Sequence, residues 1–345
     1  MKNLFDEKYF LEVFTKLLDI DSTTGLFEEI DKEVLELLKE YNLDSIKTHK
    51  GGIITALNEG ENPLVVTAHL DTIGLMVRHI NNDGTLKVCP IGGLNAFYSV
   101  LENVRVHTRD GKVYSGTICR NPNSVHVTED ELRKTLPDYN TNVCIVLDED
   151  VKSKEDTIKL GIEVGDFIAL DTRLELVNGF IKSRFIDDKV AVAILFVALK
   201  AIKENNLKLN RKVYFYFADY EEIGHGTSFI PNDVKDILAI DIAPLGDEQT
   251  SDEHKVSIFA KDSRFPYNDQ MTNEIRRVAL DNNINYVMDV FTPHYGTDCD
   301  TSIVAGYDIR HAAIGFGTAN SHGYERCHMD GVKETFYLLL AYLTK

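Results

Sequence analysis

No apolar run in the sequence approaches the ~20 residues that a membrane-spanning helix requires, so a bilayer-embedded chain is not expected. The first residues, Met1-Lys2-Asn3-Leu4-Phe5-Asp6-Glu7-Lys8, carry charge where an export signal needs an apolar stretch, which points to the cytoplasm. Cysteine is sparse and unpatterned. Cys89, Cys119, Cys144, Cys299 and Cys327 are odd in number and form no Cys-x-x-Cys pair, which argues for reduced thiols and against a disulfide framework or a structural zinc site. Basic charge is also short. With 37 Lys and Arg against 55 Asp and Glu, the formal charge of −18 opposes binding to nucleic acid or to an anionic membrane. Internal repeats, low-complexity tracts and heptads are absent, which removes solenoid and coiled-coil readings.

What is present is the balance of a globular protein: 345 residues, 43% hydrophobic and 27% charged. That length fits two structural units, or one long domain carrying an insertion. Helical spacing of apolar residues runs over 5–20 and again over 28–41. The short β-branched run Pro63 to Ala68 reads as a buried strand that delivers His69 and Asp71 at its end. From about Arg78 to Asp171 the texture changes to alternating segments with turn signals at Asn81-Asn82-Asp83-Gly84 and Arg109-Asp110-Gly111, the pattern of an inserted β-rich module. An alanine-rich helix over 190–202 follows. Strand-like runs recur at 212–217, 237–240, 286–290 and 312–316 before a closing helix over 333–342. Strands alternating with helices imply an α/β fold with a mainly parallel sheet, in which ligands bind beyond the carboxyl ends of the strands.

The residues suited to chemistry fall at those ends. His69-Leu70-Asp71 supplies an imidazole and a carboxylate able to hold its second nitrogen, although taken alone the motif reads more readily as a hydrogen-bonded structural histidine. Asp187-Asp188 stands before the apolar helix, where either acid can cap it while the other points into a site. Glu221 and Glu222 follow an apolar strand directly and would repel each other at the edge of a core unless a cation lay between them. Asp241 ends another apolar run and needs a partner if buried. Two late histidines, His322 and His328, follow the strand that ends near Gly317, and either suits a ligand role. Carboxylates mixed with imidazoles at one sheet edge suit zinc, cobalt or manganese rather than a thiolate-bound soft metal.

In order along the chain, Ala68-His69-Leu70-Asp71-Thr72-Ile73-Gly74, Gly92-Gly93, His107-Thr108-Arg109-Asp110-Gly111-Lys112, Phe185-Ile186-Asp187-Asp188-Lys189, Glu221-Glu222-Ile223-Gly224 and Gly296-Thr297-Asp298 resemble the M42 family of metallo-aminopeptidases. That family includes glutamyl and tetrahedral aminopeptidases, and some members carry an endoglucanase label. The resemblance implies a three-layer, mainly parallel α/β catalytic domain of phosphorylase/hydrolase type over 1–77 and 175–345. It implies a small β-barrel over 78–174 that serves oligomer assembly, often as a dodecamer. Peptide substrates and two divalent metal ions, zinc foremost with cobalt or manganese as alternatives, come with it. Position by position, Asp187 would bridge the metals, His69 and Asp241 would complete one, and Glu222 with His328 the other. Glu221 would be the general base and Asp71 would orient His69.

Three departures stand out. Lys189 replaces the usual Arg. The last ligand normally lies in an Arg-Tyr-x-His-Ser-Pro-like setting, whereas here the segment is Glu325-Arg326-Cys327-His328-Met329-Asp330; His328 is preferred because an Arg closely precedes it and a helix follows, with His322 as the alternative. His294-Tyr295 before Gly296 differs from the family's glycine-rich lead-in, so an unusual substrate pocket is expected. Rival readings are a related di-metal deacylase or carboxypeptidase and a non-catalytic scaffold. The inserted β module disfavours the first, and retention of Glu221 disfavours the second.

Overall fold

The computed structural model describes residues 2–122 and 124–344. It contains two compact units, one running to Asp71 and resuming at Leu174, the other spanning Thr72–Arg173. The insert therefore starts a few residues before the expected position 78. The reason lies in pairing: the strand Gly74–Ile80 bonds to Leu86–Ile91 and Phe167–Leu170, both within the insert.

The first unit is built on an eight-stranded sheet in the order Ser45–Lys47, Ile53–Ala56, Val213–Ala218, Leu64–His69, Asp236–Pro244, Arg310–Thr318, Val256–Lys261, Tyr286–Val290. The four middle strands run parallel to one another. An antiparallel pair adjoins them on each side and the last two strands again run parallel to each other, so parallel pairing predominates in a mixed sheet. Every residue of Leu64–His69 is buried, which is why that strand reads as a continuous apolar run rather than an alternating one.

Successive side chains of Val213–Ala218 show the layers. Phe217 stacks on Phe196 of the long helix Ile186–Glu204, with ring centroids 4.9 Å apart, while Tyr216 faces the opposite way into a core that includes Cys299 of the helix Asp298–Val304. The long helix is apolar on nearly all sides because the helices Glu7–Leu18 and Met329–Thr344 also pack on it. A separate three-stranded sheet joins Glu175–Val177, Phe180–Ser183 and Glu325–His328.

The second unit is a closed barrel of six antiparallel strands, Gly74–Ile80, Leu86–Ile91, Val143–Leu147, Val113–Arg120, Asn103–His107 and Phe167–Leu170. Alternation along Asn103–His107 sends Val104 and Val106 inward with Val88, Ile118, Ile145 and Ile168, all essentially without exposure. The Arg109-Asp110-Gly111 turn closes the Asn103–Arg120 hairpin with Gly111 at φ +81°, a conformation that glycine adopts without steric cost. Among the described residues, no helix is long and apolar enough to cross a membrane.

Candidate metal centre

The parallel strands deliver their acids and histidines to one edge of the first unit. His69 ends its strand with Nε2 3.0 Å from Asp187 Oδ1 and 3.8 Å from Glu221 Oε2. Its Nδ1 lies 2.9 Å from the main-chain carbonyl of Asp71, closer than the 3.6 Å to the Asp71 carboxylate. That carbonyl is therefore the group that orients the ring.

The Asp71 carboxylate does something the motif alone did not reveal. It accepts the backbone N–H groups of Glu221 at 3.1 Å and Glu222 at 3.3 Å, together with the Thr24 hydroxyl at 2.7 Å. These are the first residues of the single turn Glu221–Ile223, entered through Tyr220 at φ +70°. A buried acid thus fixes the turn that carries the adjacent glutamates, through charge-assisted bonds to amides that would otherwise lack partners.

Asp187 stands at the start of the long helix, behind Phe185 at φ +64°. Asp188 faces elsewhere and accepts the His69 N–H at 3.2 Å, so the two acids divide their work. Lys189, where the resembled family usually has Arg, sends its buried amine to the carbonyls of Leu17 and Ile20 at 2.8 and 2.7 Å. It anchors the end of the first helix.

The two late histidines separate clearly. His322 Nε2 is 3.5 Å from Asp187 Oδ2 and 3.4 Å from Glu222 Oε2. His328, the preferred ligand in the sequence reading, lies away from these acids. It pairs with Asp330 at 3.3 Å, packs 4.2 Å from the His254 ring and 4.7 Å from Phe180, and accepts the Asp330 N–H at the start of the last helix. Register explains the difference: Glu325–His328 is a strand paired to Phe180–Ser183, with His328 opposite Phe180, whereas His322, at φ +60°, sits in the preceding turn.

Glu325 escaped sequence reasoning altogether. It is 2% exposed and accepts the Asp187 N–H and the His322 N–H, each at 3.0 Å, so one carboxylate ties its own turn to a segment 138 positions away. No sequence signal marks an acid whose partners are main-chain amides of a distant segment.

The electrostatics are those of carboxylates crowded out of water. Burial pushes Glu221 and Asp241 well above the usual carboxylate range. It also pushes Glu222 up to about 7 and Glu325 to about 8. His322 rises to about 11, chiefly through the Glu222 carboxylate. Asp187 moves the other way: burial opposes its charge, but bonds from His322 and His69 hold it below its ordinary value.

Two groups emerge whose donor atoms all lie within 4.8 Å of one another: His69, Asp187 and Asp241, and Asp187, Glu222 and His322. Asp187 belongs to both. The imidazole and carboxylate donors of each group are the kind that zinc, cobalt or manganese accept, and the shared acid suits a bridging role, so the residues fit a pair of divalent cations. A third group, His254, His328 and Asp330, is largely exposed.

Residues 51–338 match the family described as M42 glutamyl aminopeptidase. Over 337 residues the chain is 38% identical to YhfE of Bacillus subtilis (strain 168), whose aminopeptidase name is provisional, covering 96% of each chain. It is 24% identical over 340 residues to the glutamyl aminopeptidase of Lactococcus lactis, covering 91% of each. Its fold matches that of the Pyrococcus horikoshii TET1 peptidase, which can assemble into a tetrahedron or a large octahedral shell, with a TM-score of 0.86, 25% identity, and coverage of 97% of this chain and 99% of that one. With most of its length matched to the family and to a full-length relative, the chain belongs to the M42 family of aminopeptidases.

Proposed function

We propose that this M42 aminopeptidase cleaves N-terminal residues from peptides with two divalent cations held by His69, Asp187, Glu222, Asp241 and His322. His322 replaces His328 in that set. The observation that carries the reading is the sharing of Asp187 between two compact donor groups.

Two such ions, zinc foremost with cobalt or manganese as alternatives, would supply Lewis-acid polarisation of the scissile carbonyl and lower the pKa of the attacking water. The remaining work belongs to the chain. Glu221, beside His69 and largely buried, is placed to take the water proton and pass it to the leaving amine. Asp71 holds Glu221 and Glu222 in position through their own amides, and its carbonyl sets the His69 ring. Glu325 does the same for Asp187 and His322.

The barrel has a separate role in this reading. Phe97, Tyr98, Leu101 and Val127 are more than half exposed on it, a pattern suited to contacts between copies in a homo-oligomer, and a cytoplasmic location agrees with the free thiols.

The test loads metal-free protein with zinc, cobalt or manganese and compares leucine p-nitroanilide with its N-acetyl derivative. Cleavage of the free amine alone supports the aminopeptidase; cleavage of the acetylated compound alone supports the deacylase reading.

A further inference from the structure

A cavity of about 310 Å³ opens beside Asp187 and His322. We infer that it receives the side chain of the substrate's first residue and selects an uncharged, apolar one rather than glutamate or lysine. This rests on the aminopeptidase reading and goes beyond it, because the ligand set does not specify that side chain and the residue named in the family's description, glutamate, is one that this cavity disfavours.

The walls are Ile242, Phe291, Pro293 and Tyr295, with Gln249 and His294 as polar members. Tyr295 cannot turn its hydroxyl toward a ligand without loss, since it donates to the Ile242 carbonyl at 2.6 Å. Its backbone is pinned to Ser263 from both sides, with N–H to Oγ at 2.7 Å and carbonyl to N–H at 3.0 Å. The Phe291 and Tyr295 rings pack with centroids 5.3 Å apart. The wall is therefore a fixed aromatic surface.

Charge decides the class. Among the described lining residues Asp187 is the one carboxylate, and it is engaged by His69 and His322; no lysine or arginine lines the cavity. A lysine ammonium would find no free acid, and a glutamate would find no lysine or arginine, only the Thr292 and Ser321 hydroxyls beside imidazole and amide groups. Burying a charge without a partner is costly, whereas an aliphatic or aromatic side chain gains by leaving water. The volume is at the small end of the ~300–1,000 Å³ range of ligand pockets, which suits one residue and not a longer segment.

The experiment is a kcat/KM comparison of leucyl, methionyl, phenylalanyl, glutamyl and lysyl p-nitroanilides on the metal-loaded enzyme, repeated with Gln249→Glu. An apolar substrate is expected to exceed both charged ones by about 10-fold or more, the cost of one unpaired group at ~1.4 kcal/mol per decade. Gln249→Glu is expected to raise the lysyl-to-leucyl ratio, a quantity that a partly misfolded preparation does not change. Glutamyl or lysyl turnover leading in the wild type, or an unchanged ratio in the variant, overturns the inference while leaving the aminopeptidase reading intact. Turnover of no free-amine substrate by metal-loaded enzyme removes both.

Discussion

Two acids on one strand of the central sheet meet opposite fates. Asp236, at the start of Asp236–Pro244, is enclosed by guanidinium groups: Arg310 approaches at 2.7 and 2.8 Å and Arg211 at 2.6 Å. Asp241, five residues on, lies among Asp187, Glu221 and His69, and burial raises its pKa instead of a cation lowering it. Both are almost fully buried, at 2% and 4% exposure. The strand thus carries one carboxylate whose counter-charge is two arginines of the chain and one that, under the proposed function, a bound cation would balance. This asymmetry separates a structural ion pair from a metal ligand more reliably than residue type, and it is why the exposed His254–His328–Asp330 group, with similar donors, is the weaker candidate.

The largest effect expected from breaking this contrast is at the late histidines. His322→Ala should remove one of the bound metals and abolish peptidase activity, measured by metal analysis and aminoacyl-p-nitroanilide turnover. His328→Ala should retain both metals and most of the turnover, losing only about 0.5–2 kcal/mol of stability with its bond to the Asp330 amide. The opposite pattern would place the second metal where the sequence reading first put it.

Next is Glu221→Gln, which keeps the shape and removes the base. Metal content should stay at the wild-type level while kcat falls by about 10²–10⁴-fold. Near-normal turnover would take the proton-transfer role away from Glu221.

A smaller loss is expected at Glu325→Gln, because the amide oxygen can still accept one of the two N–H bonds that place Asp187 and His322. Metal affinity or activity should drop about 10–100-fold, the usual cost of disturbing a group behind the ligands. A metal titration of the variant against the wild type reads it directly.

How much of this was legible in the sequence follows from which interactions are local. The strand before His69, the Glu221-Glu222 pair after a second strand and Asp241 within a third were readable because period, burial and strand ends are short-range signals. The insert was visible from its turn chemistry at Asn81-Asn82-Asp83-Gly84 and Arg109-Asp110-Gly111. His322 against His328 was not decidable in that way. The choice depends on which of two residues six apart falls in a turn and which in a strand paired to Phe180–Ser183, a long-range fact. Asp71 was found, but its carboxylate works on the amides of residues 150 positions away, which no local pattern encodes.

The smallest functional effect, and the sharpest test of the contrast between the two acids, is at Asp236. Replacing it with Asn should leave kcat and metal content unchanged, since its partners Arg211 and Arg310 lie apart from the donor groups. Stability should fall toward the lower end of the ~3–5 kcal/mol typical of a broken buried pair, because both arginine side chains are partly exposed. The pH dependence has a definite sign. Burial acts to raise the Asp236 carboxyl, but Arg310 and Arg211 outweigh it and hold the group below its ordinary value. Its contribution is therefore complete above the unfolded carboxylate range near ~3.9 and is lost as pH falls through the lower folded value. The gap in melting temperature between wild type and Asp236→Asn should stay constant from neutral pH down to about 5 and then close on further acidification. A gap that widened below pH 4 would mean that Asp236 is not stabilised as an anion, and the distinction between the two acids of this strand would fail.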